Sequence, residues 1–147
     1  MAESLHFHVR VYARPAAAIT EEPRRIGNLH VTPLRAAQPD LLSAWPITFD
    51  EAAASLGRLP RLFLEPDGSF VWVSRDDLHW QIDGLLSDLG PRLAHVELRG
   101  TCQQAAFDHL LRCFGWPQTP LAFEMIAEGP LLDEADFRKV ATACVSG

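Results

Sequence analysis

Leu5, Phe7, Val9 and Val11 alternate with His6, His8, Arg10 and Tyr12. That two-residue period predicts a strand with one buried face. Residues 13–27, rich in Pro and Ala, read as a surface loop. Asn28–Leu34 reads as a second strand, and Pro33 puts it at an edge. Thr48 and Glu51 have the spacing of a capping box and open a helix over 49–57, with Gly57 as its stop. The stretch Arg61–Ser74 places Asp67-Gly68 between apolar runs, which predicts a hairpin with a two-residue type I′ turn. In that register Leu62 and Leu64 share a face with Val71 and Val73, while Phe63 sits with Trp72, so both faces are apolar.

A second hairpin is predicted from 79–87 and 93–100 around Gly90-Pro91. Trp80, Ile82 and Leu86 alternate with polar residues there, as do Ala94, Val96 and Leu98. Thr101 and Gln104 again have capping-box spacing and open a helix over 102–114, with Phe107, Leu110, Leu111 and Phe114 on one stripe. Leu121–Glu128 reads as a strand, Gly129-Pro130 as a turn, and Asp133 as the cap of a helix over 133–143. Phe137, Val140, Ala141 and Cys144 fall on one face of that helix. Strands joined by short turns favour a single α+β domain over 1–147: a mostly antiparallel sheet built from hairpins, with about three helices packed on one face.

The chain also contains an ordered set of similar segments. Leu5-His6-Phe7-His8-Val9 resembles Leu78-His79-Trp80-Gln81-Ile82, and Trp45-Pro46-x-Thr48 resembles Trp116-Pro117-x-Thr119. With the matches between them, this suggests an internal ββα duplication with pseudo-repeats at 5–48 and 78–119.

Composition narrows the partners. The 147 residues are 48% hydrophobic and 22% charged, enough for one self-sufficient core. Twelve Arg and one Lys face 19 acidic residues, for a formal charge of −6. No basic block exceeds Arg24-Arg25, which argues against nucleic acid and anionic membranes as partners. No apolar run has membrane-spanning length, and the opening MAESLHFHVR lacks a basic, then apolar, leader pattern, so a cytoplasmic location is expected. Cys102, Cys113 and Cys144 are odd in number with no C-x-x-C spacing, consistent with small apolar fillers in a reducing compartment. The Arg-over-Lys bias and Ala-rich loops give a bacterial-like composition.

Candidate chemistry is sparse. His6 and His8 share a strand face about 7 Å apart, a usable spacing for two metal ligands, but no third ligand is placed near them, and neither a metal nor a cofactor is expected. The usual nucleotide-binding, serine-hydrolase, zinc-protease and EF-hand signatures are missing, which leans away from an enzyme. Two polar faces remain as candidate binding surfaces. The first carries His79, Gln81, Asp83, His95, Glu97 and Arg99; the second carries His6, His8, Arg10 and Tyr12. A His among carboxylates, or Asp83 with Glu97, could supply acid–base chemistry, but alternation alone puts polar residues on such a face. The expected function is therefore a non-catalytic module that binds a protein or peptide through a sheet face or edge, or self-associates as a homodimer. The alternative is a small enzyme or ligand-binding protein using the His/Asp/Glu cluster of the 79–99 hairpin.

Overall fold

Strands β1 (Ser4–Ala13), β2 (Ile19–Thr20), β3 (Arg24–Ile26), β4 (Leu29–Val31) and β5 (Leu34–Arg35) precede helices α1 (Gln38–Ser43) and α2 (Phe49–Leu56). Strands β6 (Leu62–Leu64), β7 (Ser69–Val73), β8 (Gln81–Leu89) and β9 (Arg92–Gln103) then lead into α3 (Gln104–Arg112), and β10 (Leu121–Met125) and β11 (Leu131–Asp133) into α4 (Glu134–Ser146). This computed structural model describes residues 4–146, with side chains through Thr142. Nine strands form one sheet in the order β2-β5-β11-β10-β1-β9-β8-β7-β6, and β3 pairs with β4 separately. Every ladder among the described residues is antiparallel. The fold is thus mixed α+β with a mostly antiparallel sheet. Among the described residues, no helix is long and apolar enough to cross a membrane.

The alternation read from the sequence sets which face is buried. Leu5, Phe7, Val9 and Val11 of β1 join Val96 and Leu98 of β9 and Ile82 and Leu86 of β8 in one core cluster. The helices cover that face with Ala52 and Leu56 from α2, Phe107, Leu110 and Leu111 from α3, and Phe137, Val140 and Ala141 from α4; Cys144 lies outside the described side chains. Phe123 and Phe137 stack with centroids 4.4 Å apart, and Phe107 lies 5.1 Å from Phe7. Fully burying such a side chain is worth about 1.5–3 kcal/mol, so this aromatic group is a principal tie between sheet and helices. Cys102 and Cys113 are buried free thiols whose pKa burial raises to about 12 and about 11. Both are protonated fillers at neutral pH, without thiolate reactivity.

The predicted cap of α2 forms: Thr48 accepts from the Glu51 backbone N–H at 3.0 Å and Glu51 accepts from that of Thr48 at 3.0 Å. Asp133 likewise accepts from the Asp136 backbone N–H at 2.9 Å and opens α4. Thr101 does not cap α3. Strand β9 continues to Gln103, because Ser4, Leu5 and His6 of β1 still pair with Gln103, Cys102 and Thr101. The helix then starts at Gln104 without a side-chain cap.

The first hairpin corrects its expected register. Leu62 lies opposite Trp72, Phe63 opposite Val71, and Leu64 opposite Phe70. The loop holds three residues, not two: Glu65 donates to and accepts around Ser69 and Gly68, with Glu65 N–H to Ser69 O at 2.8 Å and Gly68 N–H to Glu65 O at 3.0 Å. Gly68 has a φ of +95°, while Asp67 is not among the residues of positive φ. A type I′ turn needs positive φ at both central residues, whereas Pro66 followed by Asp67 suits a type I turn closed by a left-handed glycine. Asp67 holds the loop by accepting from the Ser69 N–H at 3.0 Å and its hydroxyl at 2.6 Å, and the Ser69 bonds lower the Asp67 pKa. A one-residue change in loop length exchanges faces. Leu62, Leu64, Phe70 and Trp72 therefore turn toward the core, and Phe63 and Val71 turn outward.

Segments 5–48 and 78–119 are paired differently. Strand β8 forms a hairpin with β9, whereas β1 pairs with β9 and β10, and His30 pairs with Arg25 in the separate ladder.

Candidate functional site

With helices on one face of the sheet, the alternate residues of β10, β1, β9 and β8 make the other. The register lines them up in two neighbouring rows. One row runs Glu124, Arg10, Glu97, Leu85, Ser69; the next runs His8, Arg99, Asp83, Val71, Phe63. The sequence presented 79–99 and 6–12 as two separate polar faces, and pairing of β1 with β9 joins them into one surface. Sequence reasoning missed Glu124, whose signal is a carboxylate inside the otherwise apolar strand Leu121–Met125.

Arg10 is the centre of this surface. Its guanidinium donates to Glu124 at 3.0 Å and lies 3.8 Å from Glu97, and Glu97 also meets His8 Nε2 at 3.2 Å. These side chains are 35–38% exposed, so each pair contributes less than about 1 kcal/mol and acts chiefly to fix geometry. Because Arg10 engages both carboxylates, neither stands free as a base, and the arrangement suits recognition more than proton transfer.

Toward β1's end the surface becomes drier. Tyr12 is 2% exposed and donates to Glu124 over a long 3.4 Å, with the His95 ring 5.7 Å away. Burial raises the Tyr12 pKa. Burial, followed by the Arg10 charge, lowers that of His95, so the imidazole is neutral at pH 7. Among the described residues, His95 Nδ1 and Arg10 Nε are buried without a hydrogen-bond partner. A cavity of about 320 Å³ opens beside Tyr12 and Glu124, with Arg24, Arg35 and Gln38 also in its lining.

The remaining predicted residues are placed apart from this network. His79 is exposed in the connection before β8, with a left-handed φ of 55°. Gln81 donates to Asp83 at 3.0 Å, and Asp83 stands opposite Arg99 without an ion pair to it. The six residues of the 79–99 hairpin do not share one concavity: His95 and Glu97 turn to β1, Arg99 lines a cavity with His6 and His8, and His79, Gln81 and Asp83 are exposed. His6 and His8 line a second cavity of about 360 Å³ with Arg99 and Glu128. Among the described residues, no group of three His, Cys, Asp or Glu is arranged to hold a metal ion.

The surface ends in an apolar corner over β8, β7 and β6. Phe63 is 64% exposed and Leu85 is 41% exposed, with Val71 half-buried between them. No protein-family model, curated protein or solved structure matches the chain.

Proposed function

We propose that the protein is a cytoplasmic, non-catalytic binding module that docks a protein partner on the open face of its sheet. The observation that carries this reading is the exposed pair Phe63 and Leu85, set on the same face as the mutually paired charges of His8, Arg10, Glu97 and Glu124. Interfaces combine an apolar anchor, often aromatic, with a polar surround. The sheet edges suit this role less well. Strand β6 has three residues between Pro60 and Pro66, and β2 has two, so either edge offers few backbone bonds to an added strand. The charge of −6 makes two copies of the chain repel, which favours a basic partner over self-association. The two buried free thiols are compatible with a reducing compartment.

Affinity purification of the tagged chain from its native cells tests the reading when wild type is run beside Phe63→Asp, Leu85→Asp and the helical-face control Arg112→Ala. The expected result is a stoichiometric basic companion that is retained by the control and lost with both face variants. Companions that do not change with Phe63→Asp or Leu85→Asp would falsify docking on this face. Sedimentation velocity showing a dimer that Phe63→Asp dissolves would assign the face to a second copy instead.

A further inference from the structure

The cavity of about 360 Å³ at the start of β1 has a composition that the docking face does not require. Three segments build it. β1 contributes His6 and His8, β9 contributes Arg99 and Gly100, and the connection after β10 contributes Ala127 and Glu128. Phe7 and Met125, both with buried side chains, close it toward the core. The third wall is pinned in place: Ile126 N–H donates to His8 O at 3.2 Å, and Gly129 N–H to Met125 O at 2.6 Å.

Arg99 is the distinctive group. The strand register sets it between His8 and Asp83. Asp83 accepts instead from Gln81, and the Arg99 side chain has no ion pair or hydrogen bond among the described residues. The other arginine on this surface, Arg10, is engaged with two carboxylates. Arg99 therefore keeps its donors available at the wall of a concave site, with two imidazoles beside it. Glu97, the nearest carboxylate on β9, is already held by Arg10 and His8. Glu128 sits in the exposed connection, where its charge opposes that of an anion at the rim. A guanidinium offers two parallel N–H donors that match a carboxylate or phosphate. The His6 imidazole can add a donor, whereas that of His8 is turned to Glu97 and shapes the wall.

We propose that this cavity binds a small organic anion, a carboxylate or a phosphomonoester, anchored by Arg99 and flanked by His6 and His8. Its volume lies within the range of small-molecule sites, and holds a body larger than the anionic head group. The inference does not depend on the docking reading, since its residues lie at the opposite end of the His8–Phe63 row from the apolar corner.

Imidazole signals of His6 and His8 in the full chain, followed by NMR during separate titrations with benzoate and phenyl phosphate, test it against sodium chloride at equal ionic strength. Saturable shifts at these two histidines are expected with at least one organic anion, and the one that saturates at lower concentration identifies the head group. Arg99→Ala should weaken binding about tenfold or more, as loss of a charge-assisted contact does. Arg99→Lys should fall between the two, and Glu128→Gln should tighten binding by removing repulsion at the rim. Arg99 is exposed, so these variants should fold. Shifts no larger than those caused by sodium chloride overturn the proposal. So does an affinity that survives Arg99→Ala, or weaker binding in Glu128→Gln, which would mean that a cationic group is what the site takes.

Discussion

The two faces of the sheet are made from alternate residues of the same strands, and they achieve order in opposite ways. On the helical side, Phe7, Phe107, Phe123 and Phe137 are buried and in ring contact, so specificity comes from shape. On the open side, His8, Arg10, Glu97 and Glu124 fix one another by directional contacts while a third or more of each side chain remains in water. Charges left at that exposure contribute little to stability, whereas their orientation is retained. The first face holds the fold together, and the second holds groups in position at small energetic cost. Substitutions should therefore divide sharply between them.

The largest expected effect is on the helical side. Phe107→Ala removes a ring that touches Phe7, Phe123 and Phe137 and lies beneath the Arg138 guanidinium at 5.3 Å. Truncating a buried Phe costs about 3–5 kcal/mol, a large part of a typical domain's stability. Urea unfolding should show a much lower midpoint with little change in slope. A loss under about 1 kcal/mol would mean that the aromatic group is not what ties α3 and α4 to the sheet.

Gly84 comes next, because it sits on the same core-facing register as Leu98 and Phe70. A Cβ there would stand 2.1 Å from the Phe70 ring, so Gly84→Ala must push that ring aside. Overpacking of this kind costs about 1–3 kcal/mol. Pairing it with Phe70→Leu should recover part of the loss, and a double variant no better than the sum of both would show that the glycine serves another purpose.

These two positions also show what the sequence could and could not convey. The apolar stripe ending in Phe114 and the alternation in β1 were legible because burial leaves a period in the chain. Gly84 carries no such period, since its role is to leave room for a ring brought in by β7. The Phe63 register differs from the expected one because Asp-Gly is ambiguous between turn types, and Pro66 is the deciding residue. The joining of the two polar surfaces was not legible, as it depends on β1 pairing with β9, some ninety positions later in the chain. Glu124 was hidden for the same reason: its partners are Arg10 and Tyr12, far away in sequence.

On the open face, Arg10→Met should be milder. It keeps much of the stem, removes the charge that Glu97 and Glu124 share, and should cost about 1 kcal/mol or less at this exposure. The cost should increase at low salt, where the two carboxylates are less screened. A loss of several kcal/mol, comparable with Phe107→Ala, would abolish the distinction between the faces.

The smallest effect should come from His95, and it tests whether the open face becomes dry near Tyr12. Burial and the Arg10 charge hold the folded imidazole below its unfolded pKa of about 6.5. For a depressed histidine the unfolded chain takes up the proton more readily, so its contribution is present above about pH 6.5 and is lost as pH falls through the folded value. Wild type should therefore lose stability on acidification in this window relative to His95→Gln, which has no proton to gain there. Parallel urea midpoints for the two proteins from neutral pH down to about pH 5 would show that the His95 ring is as well solvated when folded as when unfolded. The half-buried end of the charge network would then be no drier than its centre at Arg10.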